Sequence, residues 1–225
     1  MGADENVTLR DAKMARTRVD LKQAMLLKLR EKSFTDISVK ELCAEVMISE
    51  GTFFNYFPKK NDLLIYFIQL WSLEAAWVAQ KKAGPKAGVG AIESVFEFTA
   101  QQMVDYPRVM GEIIAIYACG CAPKGFEELS LADRAAAFPG NEGIQGLSSQ
   151  GLRALFPVYL ARAVELGELP KTTDIAEVTA TLVCVFFGAP ILGAMGVTSD
   201  VGAEYRRQLK LVWAGVRAGG ADSGN

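Results

Sequence analysis

Apolar residues recur along most of the chain at spacings of three and four, the period of one helix face. Leu21, Ala24, Met25 and Leu29 mark such a face in a first helix over about residues 10–32. Ser38-Val39-Lys40-Glu41 is a capping box and starts a short helix that ends near Val46. Met47-Ile48 is a tight connection, and Ser49 can cap a third helix over about 50–56. Pro58 breaks the chain, and a long apolar-striped helix follows from about 60 to 82. A linker, Gly84-Pro85 to Gly90, leads to predicted helices at 90–105 and 107–118. The stretch 119–147 is rich in glycine, carries Pro123 and Pro139, and reads as loop. Three more helices follow at 148–167, with Pro157 predicted to kink it, at 174–195 and at 200–218. No convincing strand or internal repeat is present, so the predicted class is all-α.

Composition narrows the function classes. The chain has 225 residues, half of them apolar, enough to bury a sizeable core. A net charge of −2 excludes a uniformly basic nucleic-acid coat. The charge is uneven, however: Arg10 to Lys60 holds 11 basic and 7 acidic residues, net +4. Histidine is absent, which removes His-ligated zinc, Ser-His-Asp or Cys-His catalysis and any histidine pH switch. No other nucleophile–base pair, metal cluster or phosphate loop is recognisable, so no enzyme activity, metal or cofactor is expected. MGADENVTLRDAK carries no apolar signal core, and a reducing cytoplasm is the expected compartment.

Val178 to Ser199 is 22 residues without a charge, a length that can span a bilayer. It contains Thr179, Thr181, Pro190 and three glycines, and acidic Glu177 and Asp200 bracket it without a Lys/Arg cluster. A helix buried inside a protein has the same composition, and no membrane partner is expected.

The first three helices form a helix-turn-helix pattern. In that motif the second helix braces against the backbone and the third enters the major groove. The third helix reads Ser49-Glu50-Gly51-Thr52-Phe53-Phe54-Asn55-Tyr56-Phe57, with hydroxyls, an amide and a carboxylate able to address base edges or phosphates. Phe53 and Phe57, four apart, can share one buried face. Glu50 can accept from cytosine N4, or it can simply favour its own helix N-terminus. Lys59 and Lys60 are phosphate-binding candidates by their position after this helix, though such pairs are commonly solvated surface.

SVKELCAEVMISEGTFFNYFPKKNDLL resembles the N-terminal signature of the tetracycline-repressor (TetR) family of transcriptional regulators. The match is close over about residues 16–64 and beyond that extends to helix number and chain length. The resemblance implies an all-α homodimer with a helix-turn-helix DNA-binding domain at 10–59. A larger helical ligand-binding and dimerisation domain would occupy 60–218, with flexible termini at 1–9 and 219–225. It implies DNA contacts from Lys40, from Ser49, Glu50, Gly51, Thr52 and Asn55, and phosphate contacts from Tyr56 and Lys60. Arg16 and Arg18 would precede helix one and reach the backbone or minor groove. Two positions depart from the family pattern. Met47 stands where glycine is usual, which implies a left-handed residue in the turn. Phe54 stands where tyrosine is common and lacks the hydroxyl.

The implied partners are a double-stranded operator, a small-molecule effector and a second copy of the chain. Apolar and aromatic residues of the later helices, Phe96, Met103, Met110, Ile113, Tyr117, Phe156 and Tyr159, are candidates for the effector pocket and equally for ordinary core. Glu97 and Glu112 are carboxylates in apolar segments that can point inward or outward. The last two helices are the dimer candidates, with Phe186, Gly193, Tyr205, Leu209 and Trp213 as contacts. The function expected is a ligand-responsive, sequence-specific regulator, a repressor released from a palindromic operator by a small molecule. Cys119 and Cys121 leave open a thiol-based redox regulator on the same fold, although C-x-C geometry is poor for an unstrained disulfide. A small-molecule-binding protein or enzyme with an incidental helix-turn-helix is the remaining alternative.

Overall fold

Side-chain caps at Thr8, Ser38, Ser49, Ser130 and Asp174 start five of the helices, and Pro58, Gly84 and Pro139 follow the ends of three. The computed structural model describes residues 7–84, 88–123 and 125–219, and among these there is no strand. Ten α-helices follow in order: α1 (Leu9–Lys28), α2 (Val39–Val46), α3 (Glu50–Tyr56), α4 (Lys60–Ala83), α5 (Val89–Asp105), α6 (Val109–Ala118), α7 (Leu131–Ala137), α8 (Leu152–Glu165), α9 (Ile175–Ala194) and α10 (Val201–Gly219). Thr8 caps α1 in a box with Asp11, so the ordered chain starts earlier than the flexible 1–9 segment expected. α1 stops at Lys28 rather than near 32. Pro157 lies inside α8 without ending it. The expected tails at 1–6 and 220–225, and linker residues 85–87, lie outside the described residues.

The chain packs as two compact units. The first comprises the residues up to Leu73 together with Tyr106–Ser149, and the second comprises Glu74–Asp105 with Gln150 onward. α4 contributes its first half to one unit and its second half to the other.

In the first unit, α1 packs on α2 and α7, and α2 on α3. Leu21, Met25, Ile37, Leu42, Phe53, Phe57, Leu63 and Tyr66 are fully buried. Their aromatic rings form a chain, Phe53 to Phe57 at 5.7 Å and Phe57 to Tyr66 at 5.6 Å, that ties α3 to α4. Burying each such ring contributes about 2 kcal/mol.

The stretch 119–147, expected as loop, contains α7 and a 3-10 turn at Ile144–Gly146. Ser130 caps α7 by accepting from the Asp133 N–H. The buried Arg134 guanidinium orders the rest: it donates to the carbonyls of Leu129 (3.0 Å), Gln145 (3.1 Å) and Leu147 and to the Glu128 carboxylate. Glu128 also accepts from Ser148 and Ser149. These bonds hold its carboxyl below its ordinary value against the opposing effect of burial.

Asp133 sits at the centre of this unit, 2% exposed. Its carboxylate accepts from the Arg18 guanidinium of α1 (2.9 Å), the Tyr66 hydroxyl of α4 (2.9 Å) and the Ser130 hydroxyl (2.7 Å). Arg18 also lies over the Tyr66 ring at 4.3 Å. Burial, and then the Asp133 charge, raise the Tyr66 pKa, so that phenol stays protonated as a donor.

The second unit closes α5, α8, α9 and α10 around each other. Phe96 is its hub, stacked on Phe156 at 5.7 Å and edge-on to Phe186 (5.6 Å) and Tyr205 (5.0 Å). The Tyr205 hydroxyl donates to the Phe186 carbonyl at 2.8 Å, pinning α10 to α9. Glu168 accepts from the Val89 N–H at the start of α5, and Gly88 leaves the room for that carboxylate.

Removing one member of a buried ion pair leaves the other uncompensated. Asp133→Ala is expected to lower unfolding stability by about 3 kcal/mol in urea denaturation, and adding Arg18→Leu to recover part of that loss. Equal stabilities for Asp133→Ala and the wild type would contradict the node.

Candidate nucleic-acid interface

The α2–turn–α3 segment is built by short-range chemistry. The Ser38 hydroxyl accepts from the Glu41 N–H (3.1 Å), and the Glu41 carboxylate returns to the Ser38 N–H (2.8 Å). Lys32 pairs with Glu41 at 2.5 Å, and these bonds hold the Glu41 carboxyl down at about 2. Met47 ends α2 in the left-handed region at φ 58°, the sole such non-glycine residue among those described. Its N–H and that of Ile48 close on the Ala44 and Cys43 carbonyls. Cys43 is buried and its thiol faces the Ser49 carbonyl at 3.7 Å, tying α2 to the start of α3. Burial and then the Glu50 charge raise the Cys43 pKa.

Ser49 caps α3: its hydroxyl accepts from the Thr52 N–H (3.1 Å) and lies 2.8 Å from the Thr52 hydroxyl. The capping role is therefore filled by Ser49, and Glu50 is exposed on the first turn. Phe53 and Phe57 point into the core, leaving Glu50, Gly51, Phe54 and Asn55 exposed on one side. Phe54 is 46% exposed and Met47 91%, so an aromatic ring and a thioether flank the carboxylate and the amide. Tyr56 is half-buried, and Lys40 on α2 is exposed. The structure thus brings Lys40, Ser49, Glu50, Gly51, Thr52, Asn55 and Tyr56 together on the two short helices.

Three basic residues are placed differently from the expectation. Arg16 and Arg18 lie inside α1 rather than before it. Arg16 is exposed, with a surface pair to Asp20 at 3.3 Å, and remains able to reach outward. Arg18 turns inward to Asp133, Tyr66 and Phe57, and its Nε is buried without an acceptor. Lys60 is the largest correction. Its ammonium donates to the carbonyls of Phe34 (2.7 Å), Thr35 (3.2 Å) and Ile37 (2.9 Å) and lies 4.7 Å from the centre of the Phe34 ring. All three protons are used to cap the α1–α2 loop, and burial lowers the Lys60 pKa. The same loop is held from α6, where Glu112 accepts from the Phe34 N–H at 2.8 Å. Lys59 is exposed and takes up the outward position beside it.

The other predicted sets are redistributed. Phe96, Phe156 and Tyr159 are buried in the second unit, where Met103 is half-buried. Met110, Ile113 and Tyr117 belong to the first, where Tyr117 is 40% exposed. The second unit instead presents an open groove of about 530 Å³ between α5 and α10, whose walls include Glu93, Glu97, Arg206 and Lys210. Of the expected pocket residues only Phe96 lines it. Glu97 points outward to Lys82 at 2.8 Å, which lowers its pKa. Phe186, Tyr205, Leu209 and Trp213, expected at a dimer contact, are at most 3% exposed in their own unit's core. Gly193 packs against Val201. The exposed side of α9 carries Thr181, Cys184, Ile191 and Met195, and that of α10 carries Leu211, Ala214 and Gly215.

No protein-family model matches the chain, and no curated protein does. Solved structures do match. FadR of Thermus thermophilus, a TetR-family transcriptional repressor in complex with lauroyl-CoA, is 21% identical, with 87% of this chain and 92% of that one covered and a TM-score of 0.55. FadR of Bacillus subtilis, a transcriptional regulator in complex with stearoyl-CoA, is 14% identical over 88% and 98% at a TM-score of 0.59. A TetR transcriptional regulator of Rhodococcus sp. RHA1 is 18% identical over 90% and 97% at 0.53. These likenesses establish the fold.

Two substitutions test the local geometry. Lys60→Met leaves three carbonyls without their donor. It is expected to cost about 2 kcal/mol in urea unfolding, whereas a merely solvated lysine would be neutral. Met47→Gly relieves a left-handed side chain that buries almost nothing. It should stabilise the protein by about 1 kcal/mol in the same assay, and a loss of stability would show that the Met47 side chain makes a contact of its own.

Proposed function

We propose that this chain, whose fold is that of the tetracycline-repressor family, is a ligand-responsive, sequence-specific DNA-binding regulator acting as a homodimer. The observation that carries the reading is the α2–α3 pair. A short recognition helix is fixed from behind by Phe53 and Phe57 and capped by Ser49, and it turns Glu50, Gly51, Phe54 and Asn55 outward. Such a helix can enter a major groove with an amide for adenine and a carboxylate for cytosine N4. Lys40, Lys59, Arg16 and Tyr56 supply phosphate contacts around it. Two headpieces would read two half-sites of a roughly palindromic operator.

The DNA-binding role is assigned to residues 10–59 and the effector and dimer roles to 60–218. α4 and α9 are both long and apolar enough to cross a membrane by length and composition. Most of the apolar span of α4 is buried, whereas 28% of that of α9 is, the rest being half-buried or exposed. A second copy covering α9 explains that exposure without a bilayer and fits a protein of the cytoplasm. Small residues such as Gly188 let helices approach closely there. The dimer contact is therefore assigned to the outward side, Cys184, Ile191, Met195 and Leu211, rather than to Phe186, Tyr205, Leu209 and Trp213. The effector is a small molecule held by the helices after residue 60. The two FadR neighbours were solved with acyl-CoA molecules, so acyl-CoA is the first class to try. Its binding would shift α4 and lower DNA affinity, a coupling of about 1–3 kcal/mol.

Selection of duplex DNA by the purified protein tests this reading. A two-fold-symmetric motif is expected, relaxed by Asn55→Ala. Lys40→Ala should weaken binding uniformly and lower the salt slope by about 0.9. Enrichment of nothing, with binding driven by salt alone, would overturn it. Release of the selected duplex by a long-chain acyl-CoA supports the repressor mode, and unchanged affinity removes that effector class.

A further inference from the structure

Building on the reading of α3 as a recognition helix, we propose that Phe54 reads thymine, its exposed ring packing on the C5-methyl group of that base in the major groove. Phe54 lies in the middle of α3 and is 46% exposed, whereas Phe53 beside it is fully buried. The two rings meet edge to face, with centroids 5.4 Å apart and planes at 83°. Phe53 thus anchors one edge of the Phe54 ring and leaves the rest of it outside. An aromatic side chain has only two torsions to fix, so covering the outer part costs little conformational freedom.

The surroundings of the ring suit a groove rather than a protein partner. Of the residues α3 turns outward, Glu50, Gly51, Phe54 and Asn55, Phe54 has the one apolar side chain. A carboxylate and an amide beside it do not make the contiguous apolar patch that marks a protein interface. Gly51 stands one turn before Phe54. A Cβ placed there would have only the Ser49 hydroxyl within 4 Å, at 3.7 Å, so the helix surface next to the ring is open. A missing side chain at that point lets a ligand come close to the backbone, and the floor of a groove can then reach the ring.

The chemistry of the duplex selects the base. A phenyl ring has no hydroxyl to offer a phosphate, so apolar contact is what it can make. The base edges in the major groove carry donors and acceptors with one exception, the C5-methyl group of thymine. Sugar carbons are the other apolar surface of DNA, but they recur at every nucleotide and carry no sequence. A ring fixed among groups that address base edges, as Glu50 and Asn55 do, therefore has the thymine methyl as its one sequence-bearing apolar partner.

The test removes single methyl groups from the DNA. The duplex recovered by selection is remade with deoxyuridine for each thymine in turn, at matching positions of both half-sites, and titrated with the full-length protein. At one position the wild type is expected to lose about fourfold in affinity per methyl group. The loss should be the same at two salt concentrations, since no phosphate contact is removed. Phe54→Ala should bind the thymine duplex more weakly and no longer distinguish it from the uracil duplex, while Phe54→Tyr keeps the ring and the discrimination. Each ratio compares two duplexes on one protein, so a variant's own stability cancels. Uracil without effect on the wild type at every position overturns the thymine assignment and leaves the DNA-binding reading standing. So does a selected motif that holds no thymine, or discrimination that survives in Phe54→Ala. Selection that recovers no motif overturns the DNA-binding reading, and this assignment with it.

Discussion

One carboxylate governs the arrangement of the first unit. Asp133 accepts from α1 through Arg18, from α4 through Tyr66 and from its own cap, Ser130. A buried charge of this kind is tolerated only when its lone pairs are all used. That requirement fixes α7 against α1 and α4 more narrowly than apolar packing alone would. The aromatic chain from Tyr66 through Phe57 to Phe53 then passes the constraint to α3. The outward face of α3 is thus oriented by a residue that lies 77 positions beyond the last of that helix, Tyr56.

Helix boundaries were legible because their causes are local. Ser38 with Glu41, Ser49, Asp174 and the breaks at Pro58 and Gly84 are short-range signals, and α2, α3, α4 and α9 fall within a residue or two of their expected limits. α7 was missed because Pro123, Pro139 and several glycines dominate its surroundings. Ser130 three residues before Asp133, followed by an alanine-rich run, was the signal that could have found it.

Side-chain direction was the less legible part of the site. Hydrophobic pattern identifies the face of a helix that is buried, not what buries it. Phe186, Tyr205, Leu209 and Trp213 are large, mostly aromatic residues of the last two helices, and they form the seam inside the unit. Ile191, Met195 and Leu211, left outside, are what an outer contact would use. For Arg18 and Lys60 the deciding partners are remote or are backbone carbonyls, and neither shows in a charge count. The left-handed Met47, in contrast, was legible through the family resemblance, in which glycine is usual at that position of the turn.

The inward turn of these cations changes what the positive N-terminal quarter means. Arg18 is neutralised by Asp133, Lys60 is absorbed by carbonyls, and Lys28 and Lys32 face Glu45 and Glu41. For the proposed DNA binding these four would add little to counterion release, which would fall to exposed cations such as Arg16, Lys40 and Lys59. A DNA reader built this way would grip random sequence less tightly than its count of basic residues implies. Its occupancy would then rest more on how well the bases themselves fit than on how much DNA surrounds them.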